Sequence, residues 1–309
     1  LLVDPRAESK IRQGVTTEVV GNCGASAAPQ NAEVRAYREK FMRARLGEDF
    51  QFDWETMAEY MAKLEAQGIA LNVAPLVGHG TIRQNVMGFE DREPTPEELE
   101  EMRRLTAEAM EAGAWGLSTG LIYPPGCYAK TEEIIELAKV VARYGGIYAS
   151  HIRGEGDTLL EAVREAIEIG EKAGLPVEIS HFKASGKRNW GKTRESLRLV
   201  EEARRRGVDV TIDQYPYTAS STGLSAYLPD WVHVGGVEAM LERLRNPGDR
   251  RRIREEISDR DWSIIMVVVS NRHPEYEGLR ITEIAEKMGK EPVEAVMDLL
   301  LEDEGQTWI

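Results

Sequence analysis

The chain has 309 residues, of which 42% are hydrophobic and 30% charged, so it can bury a sizeable core and is not a disordered segment. No apolar run is long enough to span a bilayer. The net charge of −14 argues against nucleic acid or an anionic membrane as the main partner, because both would be repelled.

The chain opens at residues 1–6 with neither an initiating methionine nor the basic-then-apolar layout of a secretory signal. We therefore expect it to begin inside a longer gene product. The two cysteines, Cys23 and Cys127, are too few for a disulfide framework, which favours the reducing cytoplasm as the compartment.

Six apolar runs rich in β-branched residues predict β-strands. In chain order they cover residues 15–20, 70–77, 115–121, 146–150, 177–180 and 208–213. Apolar residues spaced three and four apart predict helices over 132–144, 158–173 and 194–206. Strands that alternate with helices indicate parallel βαβ units, and therefore an α/β fold whose units are neighbours in one barrel.

Two stretches interrupt this alternation. Residues 30–67 predict a helical insertion packed on the outside of the barrel. Residues from about 224 to 290 are interpreted as an excursion after the run at 208–213, which would be the seventh strand of a complete barrel. Helical segments are expected there at 249–259 and 281–301. A closed eight-stranded barrel also requires a first and a last strand, and neither is evident. We therefore predict one barrel domain over residues 1–309, incomplete at both ends.

Three potential metal ligands follow predicted strands. Cys23 lies between glycines after the first run, and His151 and His181 each close a later one. The carboxyl ends of parallel strands meet at one mouth of a barrel, and thiolate sulfur with neutral imidazole suits zinc. Taken alone, each histidine could be a satisfied core or loop residue, and Cys23 a small buried hydrophobe. The matched positions of the two histidines in consecutive units favour metal binding.

Other polar residues near these strand ends have simpler interpretations. His79 follows the run at 70–77 and is interpreted as structural or supporting rather than as a ligand. Arg153 is expected to form a salt bridge with Glu155 or Asp157. Aspartate is a residue type that can act in catalysis, but we interpret Asp213 as a supporting residue.

Five segments around these strand ends form a recognisable set. They are QGVTTEVVGNCGASAAP, GLSTGLIYPPGCYA, ASHIRGEG, ISHFKASG and DQYPYTASSTGL. Together they resemble the D-aminoacylase (N-acyl-D-amino-acid deacylase) family of the amidohydrolase superfamily, and the similarity extends over nearly the whole chain. The resemblance implies a TIM-type (β/α)8 barrel that uses one or two Zn²⁺ ions. It also implies the activity, which is hydrolysis of the amide bond of N-acyl-D-amino acids to a D-amino acid and a carboxylate.

The resemblance assigns roles to individual residues. The residues that match the family's tight metal site are Cys23, His151 and His181. The residues that match groups holding the substrate carboxylate are Lys183, Tyr215 and Ser221. A residue lining the substrate pocket is matched by Tyr123. By itself Lys183 could be a solvated loop lysine, although a cation at the mouth of the barrel suits an anionic substrate.

Two features of the family pattern have no match in this sequence. The His-x-His pair of the first strand and the catalytic aspartate of the eighth are both missing, so no catalytic residue is identified. We expect them to lie before Leu1 and after Ile309. Residues 116–120, which would belong to the fourth strand of a complete barrel, offer no lysine that could be carboxylated to bridge two ions. Cys23 is therefore the better candidate for a bridging ligand.

Two alternatives remain open from the sequence. One is a cyclic-amide hydrolase of the dihydroorotase or hydantoinase type, which is less favoured because its centre relies on the missing lysine. The other is a truncated, non-catalytic barrel that only binds ligands. The expected partner is a small molecule, without nucleic acid or membrane. The preferred side chain and acyl group, the number of metal ions and the oligomeric state are not determined by the sequence.

Overall fold

The computed structural model describes residues 1–46 and 50–309, and contacts among them divide the chain into two units. One unit comprises Leu1–Gly88 and Arg92–Tyr215, and the other comprises Phe89–Asp91 and Pro216–Ile309. The interpretation of residues 1–309 as one barrel domain with an excursion at about 224–290 stays a prediction.

All six predicted runs form β-strands, and together they build a parallel sheet in the first unit. The strands are β1 (Thr17–Val20), β2 (Asn72–Gly78), β3 (Gly116–Gly120), β4 (Ile147–His151), β5 (Val177–Ile179) and β6 (Val210–Ile212). Each strand pairs with the next one along the chain. The α/β class and the parallel half-barrel are thus confirmed, whereas the two further strands of a closed barrel stay a prediction.

Helices connect these strands. In the described part of the first unit they are α1 (Glu8–Ile11), α2 (Ala32–Leu46), α3 (Met57–Gln67), α4 (His79–Met87), α5 (Pro96–Glu111), α6 (Thr131–Arg143), α7 (Leu159–Ala173) and α8 (Thr193–Arg205). Helix α5 packs against α6, α6 against α7, and α7 against α8. The predicted helices at 132–144, 158–173 and 194–206 are confirmed to within one residue at each end.

The core of this unit lies between the sheet and the helices. Tyr148 of β4 and Leu117 of β3 are fully buried, and they share a hydrophobic cluster with Leu137 of α6 and Val163 of α7. This one-sided burial explains the three- and four-residue apolar spacing of these helices. A rigid, packed support of this kind allows side chains at the strand ends to be held in fixed positions.

The predicted insertion at 30–67 contains α2 and α3, and its residues 47–49 lie outside the described residues. Trp54 is only 3% exposed and belongs to the main hydrophobic cluster of the unit. Its indole nitrogen donates a hydrogen bond to the carbonyl of Ala27 at 2.9 Å. The insertion is therefore anchored to the unit by a buried aromatic residue with a satisfied polar group.

The second unit contains, among the described residues, the helices α9 (Gly236–Arg245), α10 (Pro247–Ile257), α11 (Ile281–Met288) and α12 (Pro292–Glu302) around its own hydrophobic cluster. The expectation of one helical segment over 281–301 was wrong. The helix ends at Gly289, which adopts a left-handed conformation with φ 64°, and Pro292 starts the next helix. None of the helices described for this chain combines the length and apolar character needed to cross a bilayer.

Candidate metal centre

Cys23, His151 and His181 come together at the carboxyl-terminal edge of the sheet. His151 is the last residue of β4, His181 follows β5 by two residues, and Cys23 follows β1 by three. Because the strands are parallel, these three positions share one edge. One potential ligand atom from each residue lies within 4.8 Å of the other two. Among the described residues they form the one group of this kind that could hold a metal ion.

The distances between these atoms fit zinc. Nε2 of His181 lies 2.9 Å from Nδ1 of His151 and 3.8 Å from Sγ of Cys23. In a tetrahedral zinc site, bond lengths of about 2.0 to 2.3 Å place two nitrogens about 3.3 Å apart and sulfur and nitrogen about 3.5 Å apart. Both distances here are within roughly half an ångström of those values. Sulfur with two imidazole nitrogens is also a donor set that zinc favours.

Two of the three residues have an unusual backbone conformation. Cys23 and His181 have φ values of 54° and 40°, in the left-handed region that residues other than glycine rarely adopt. Such strain persists only where the surrounding structure holds it, and it is most common at functional sites.

The loop that carries Cys23 is held by close contact with β3. Ser118 donates its hydroxyl to the carbonyl of Gly21 at 2.5 Å and accepts from the amide of Gly24 at 3.1 Å. A Cβ atom on Gly24 would lie 2.6 Å from the amide nitrogen of Gly120, too close for any side chain. The absence of a side chain at Gly24 therefore permits this close approach of the loop to β3.

Asp213 supports the strained conformation of His181. Its carboxylate accepts a hydrogen bond from the His181 amide at 2.5 Å. This contact lies on the backbone and leaves the imidazole directed at Cys23 and His151. The position agrees with the interpretation of Asp213 as a supporting residue.

A carboxylate that the sequence analysis did not assign to the site lies behind the two imidazoles. Oε1 of Glu155 is 3.0 Å from Nδ1 of His181, 2.5 Å from Nζ of Lys183 and 3.9 Å from Nε2 of His151. The expected pairing of Arg153 with Glu155 or Asp157 was wrong. Arg153 instead contacts Glu165 at 2.8 Å, because residue 153 faces α7 rather than its own loop.

The protonation behaviour of the two imidazoles differs. Burial, followed by the charge of the neighbouring His181, lowers the pKa of His151 to about 4. Burial also disfavours protonation of His181, but hydrogen bonds with Cys23 and Glu155 outweigh it and raise the pKa of His181 to about 9. Hydrogen bonds from His181 and Lys183 likewise overcome the burial that opposes ionisation of Glu155, and its pKa is lowered.

Three of the four predicted substrate-binding residues belong to the first unit. Nζ of Lys183 donates to the carbonyl of His181 at 3.1 Å and lies 5.6 Å from the centre of the Tyr215 ring. The Tyr123 ring packs edge-on against the His151 ring, with centroids 5.0 Å apart. Ser221 belongs to the second unit, where its hydroxyl donates to the carbonyl of Ile309 at 2.7 Å.

His79 belongs to a separate buried cluster. Its Nε2 contacts Glu133 at 2.7 Å, and the other oxygen of Glu133 accepts from Arg83 at 2.5 Å. All three side chains are almost completely buried. This arrangement agrees with the interpretation of His79 as structural, because it joins the start of α4 to α6.

The chain is similar to several proteins of known name. It is 46% identical to D-aminoacylase from Alcaligenes xylosoxydans xylosoxydans over 216 residues, which cover 70% of this chain and 43% of that protein. It is 38% identical to N-acyl-D-glutamate deacylase from the same organism over 295 residues, which cover 96% of this chain and 53% of that protein. The chain therefore spans about half the length of these relatives.

A solved structure shares the fold. The crystal structure of N-acyl-D-glutamate deacylase from Bordetella bronchiseptica, complexed with zinc and a phosphonate inhibitor that mimics the tetrahedral intermediate, matches with a TM-score of 0.77. The identity is 34%, and the match covers 98% of this chain and 58% of that one. A scan against protein-family models finds no match.

Proposed function

The chain belongs to the D-aminoacylase family of the amidohydrolase superfamily, and we propose that it carries the tight metal site of a zinc-dependent N-acyl-D-amino-acid deacylase. The reaction would be hydrolysis of the amide bond to give a D-amino acid and a carboxylate. The observation that carries the proposal is the convergence of Cys23, His151 and His181 to within 4.8 Å. These three residues would hold one Zn²⁺ ion, and the Cys23 thiolate is also able to bridge to a second.

When bound there, zinc supplies Lewis acidity that polarises a carbonyl oxygen and makes bound water acidic near neutral pH. The residues of the chain have the task of orienting the substrate. Lys183 provides a cation beside His181, and Tyr215 lies within 6 Å of that cation. We propose that Lys183 and Tyr215 bind the substrate carboxylate, which would fix the face of the amide presented to the nucleophile. The carboxylate-binding role of Ser221, a residue of the second unit, stays a prediction from the family resemblance.

Tyr123 would form one wall of the substrate pocket. Its ring packs against the His151 ring, so it borders the candidate ligand directly. No residue of this chain is assigned as the catalytic acid or base, since the family's aspartate has no match in the sequence. We also propose the cytoplasm as the location, because a reducing compartment keeps Cys23 and Cys127 as the thiols seen in the structure.

Metal analysis combined with a substrate panel tests this function. We expect the complete protein to contain zinc, to lose it to a chelator, and to hydrolyse N-acetyl-D-amino acids faster than the L-enantiomers. Turnover of dihydroorotate or hydantoins in preference to these linear amides would instead identify a cyclic-amide hydrolase. Absence of zinc together with absence of turnover would identify a non-catalytic barrel.

A further inference from the structure

Glu155 occupies a central position among the candidate site residues. A single oxygen, Oε1, lies within 4 Å of nitrogens from Lys183, His181 and His151. The carboxylate is only 14% exposed, so it is largely removed from water. A buried carboxylate is tolerated when its charge is paired, and here its partners are a candidate substrate-binding cation and two candidate metal ligands.

The side of His181 that Glu155 contacts is informative. Nε2 of His181 faces Cys23 and His151, so a metal bound among them would require the lone pair of Nε2. The proton of the neutral ring then resides on Nδ1. Two groups lie 3.0 Å from this nitrogen, Nζ of Lys183 and Oε1 of Glu155. An ammonium group cannot accept a hydrogen bond, so Oε1 of Glu155 is the acceptor available to that Nδ1–H. A ligating imidazole whose second nitrogen donates to a carboxylate is held in one tautomer and one orientation.

His151 presents the same relationship in a weaker form. Its Nδ1 faces His181, and among the described residues its buried Nε2 has no hydrogen-bond partner. The nearest carboxylate oxygen recorded for it is again Oε1 of Glu155, at 3.9 Å, which is beyond hydrogen-bond range but within range of charge attraction. The negative charge of Glu155 therefore lies behind both imidazoles.

The backbone holds Glu155 in this place. Its carbonyl accepts a hydrogen bond from the amide of Ser185 at 2.7 Å, which ties the loop after β4 to the loop after β5. These are the loops that follow His151 and His181. The position of the carboxylate is thus coupled to both strand ends through the main chain.

We propose that Glu155 is a positioning residue for the metal centre, where Oε1 accepts the Nδ1–H of His181 and at the same time orients the ammonium group of Lys183. This inference rests on the proposed metal site. The simpler alternative is that Glu155 is only the counterion of Lys183, since that contact is the shortest of the three. The two readings differ in what they predict for metal affinity.

Glu165 offers a matched control on the following helix. Its side chain is 13% exposed, against 14% for Glu155, and it too pairs with one basic residue, Arg153. Glu165 has no contact recorded with Cys23, His151 or His181 among the described residues. Glu155→Gln and Glu165→Gln therefore each remove one partly buried carboxylate from the same segment, but only the first removes a partner of an imidazole.

The experiment measures zinc affinity by competition with a chromogenic chelator in the unaltered protein and in Glu155→Gln, Glu155→Asp and Glu165→Gln. The Co²⁺-substituted forms are compared by their absorption spectra. We expect Glu155→Gln to weaken zinc binding by about 10- to 100-fold and to shift the Co²⁺ bands, as loss of a partner of a ligand does. Glu155→Asp should recover part of this loss because it retains a carboxylate, and Glu165→Gln should match the unaltered protein.

Equal zinc affinity in Glu155→Gln and Glu165→Gln would overturn the inference and leave Glu155 as a counterion of Lys183. Absence of zinc binding by the unaltered protein would overturn the proposed function itself, so the two failures are distinguishable. Thermal unfolding of the metal-free proteins checks folding. If Glu155→Gln does not fold, Glu155→Asp against Glu165→Asp decides the question in the same way, with a smaller expected loss.

Discussion

Nε2 of His181 lies 2.9 Å from Nδ1 of His151, and the two rings are nearly perpendicular at 83°. The two residues are separated by a whole helix in the sequence, and neighbouring parallel strands bring them together. The sulfur of Cys23 lies 3.8 Å from the same His181 nitrogen. Side chains from three strand ends thus face one point.

Replacement of Cys23 by alanine tests the sulfur ligand. We expect Cys23→Ala to weaken zinc binding by more than the roughly 100-fold that loss of a ligand's hydrogen-bond partner can cost, because a direct ligand is removed. Chelator competition measures the change. Cys127→Ala is the control, since Cys127 lies in the turn Gly126–Tyr128 and is not part of the candidate ligand group. Full zinc content and unchanged activity in Cys23→Ala would contradict the ligand role.

Lys183 is expected to act on substrate rather than on metal. A hydrogen bond to a charged group contributes about 1.5 to 3 kcal/mol, so Lys183→Met should lower kcat/KM for N-acyl-D-amino acids by about 10- to 100-fold. Steady-state kinetics measure this, and the loss should disappear with a substrate whose carboxylate is replaced by a carboxamide. Lys187→Met, at an exposed position of the same loop, should behave as the unaltered protein. An equal loss with the carboxamide substrate would argue against carboxylate binding by Lys183.

Much of this arrangement was predictable from local sequence. Apolar, β-branched runs identified the six strands, and because parallel strands end at one edge, Cys23, His151 and His181 could be expected to meet. Local patterns are sufficient for such features because the strand period is visible in a short segment, and the helix between two consecutive strands makes them parallel.

The role of Glu155 was not predictable in this way. The sequence places it two residues from Arg153, and proximity suggested a salt bridge between them. In the structure Arg153 pairs with Glu165 on the next helix, while Glu155 reaches across to the loop after β5. Which acid pairs with which base depends on loop geometry and on contacts between distant segments, and neither is encoded in spacing. The choice of Glu155 as a residue to test therefore rests on the structure and not on the sequence.

The buried pair of Glu133 and Arg83 is expected to stabilise the first unit in a pH-dependent way. Hydrogen bonds and charge from His79 and Arg83 outweigh burial and lower the pKa of Glu133. The folded pKa therefore lies below the usual value of 4.5, so the contribution is complete above that pH and is lost as the pH falls through the folded pKa. Glu133→Gln leaves the charge of Arg83 buried without its carboxylate, which should cost about 3 to 5 kcal/mol at neutral pH.

Chemical denaturation at several pH values measures this effect, and the difference between the unaltered protein and Glu133→Gln should narrow in acid. Glu136→Gln, three residues along the same helix, is the matched control. Glu136 pairs with Arg103 and Lys139 near the surface, and such pairs contribute about 0 to 1 kcal/mol. A pH-independent difference for Glu133→Gln would show that lost packing, rather than the ionised carboxylate, accounts for the change.

The close approach of Gly24 to β3 provides a test of how the Cys23 loop is held. Gly24 and Gly14 have similar left-handed conformations, with φ values of 77° and 81°, but only Gly24 is crowded. A Cβ on Gly24 would lie 2.6 Å from the amide of Gly120, whereas one on Gly14 would meet nothing within 4 Å. Gly14→Ala should therefore cost about 1 to 2 kcal/mol from backbone strain alone.

Gly24→Ala should cost a further 1 to 3 kcal/mol, roughly the effect of overpacking, because the amide of Gly120 is part of the main chain and cannot turn aside. The displaced loop should carry Cys23 away from His181, so zinc affinity should fall in Gly24→Ala and stay unchanged in Gly14→Ala. Denaturation and chelator competition on the same preparations measure the two effects together. If both variants retained the zinc affinity of the unaltered protein, the packing of Gly24 on β3 would not be what positions the sulfur. The hydrogen bonds between Ser118 and the loop would then be the remaining explanation.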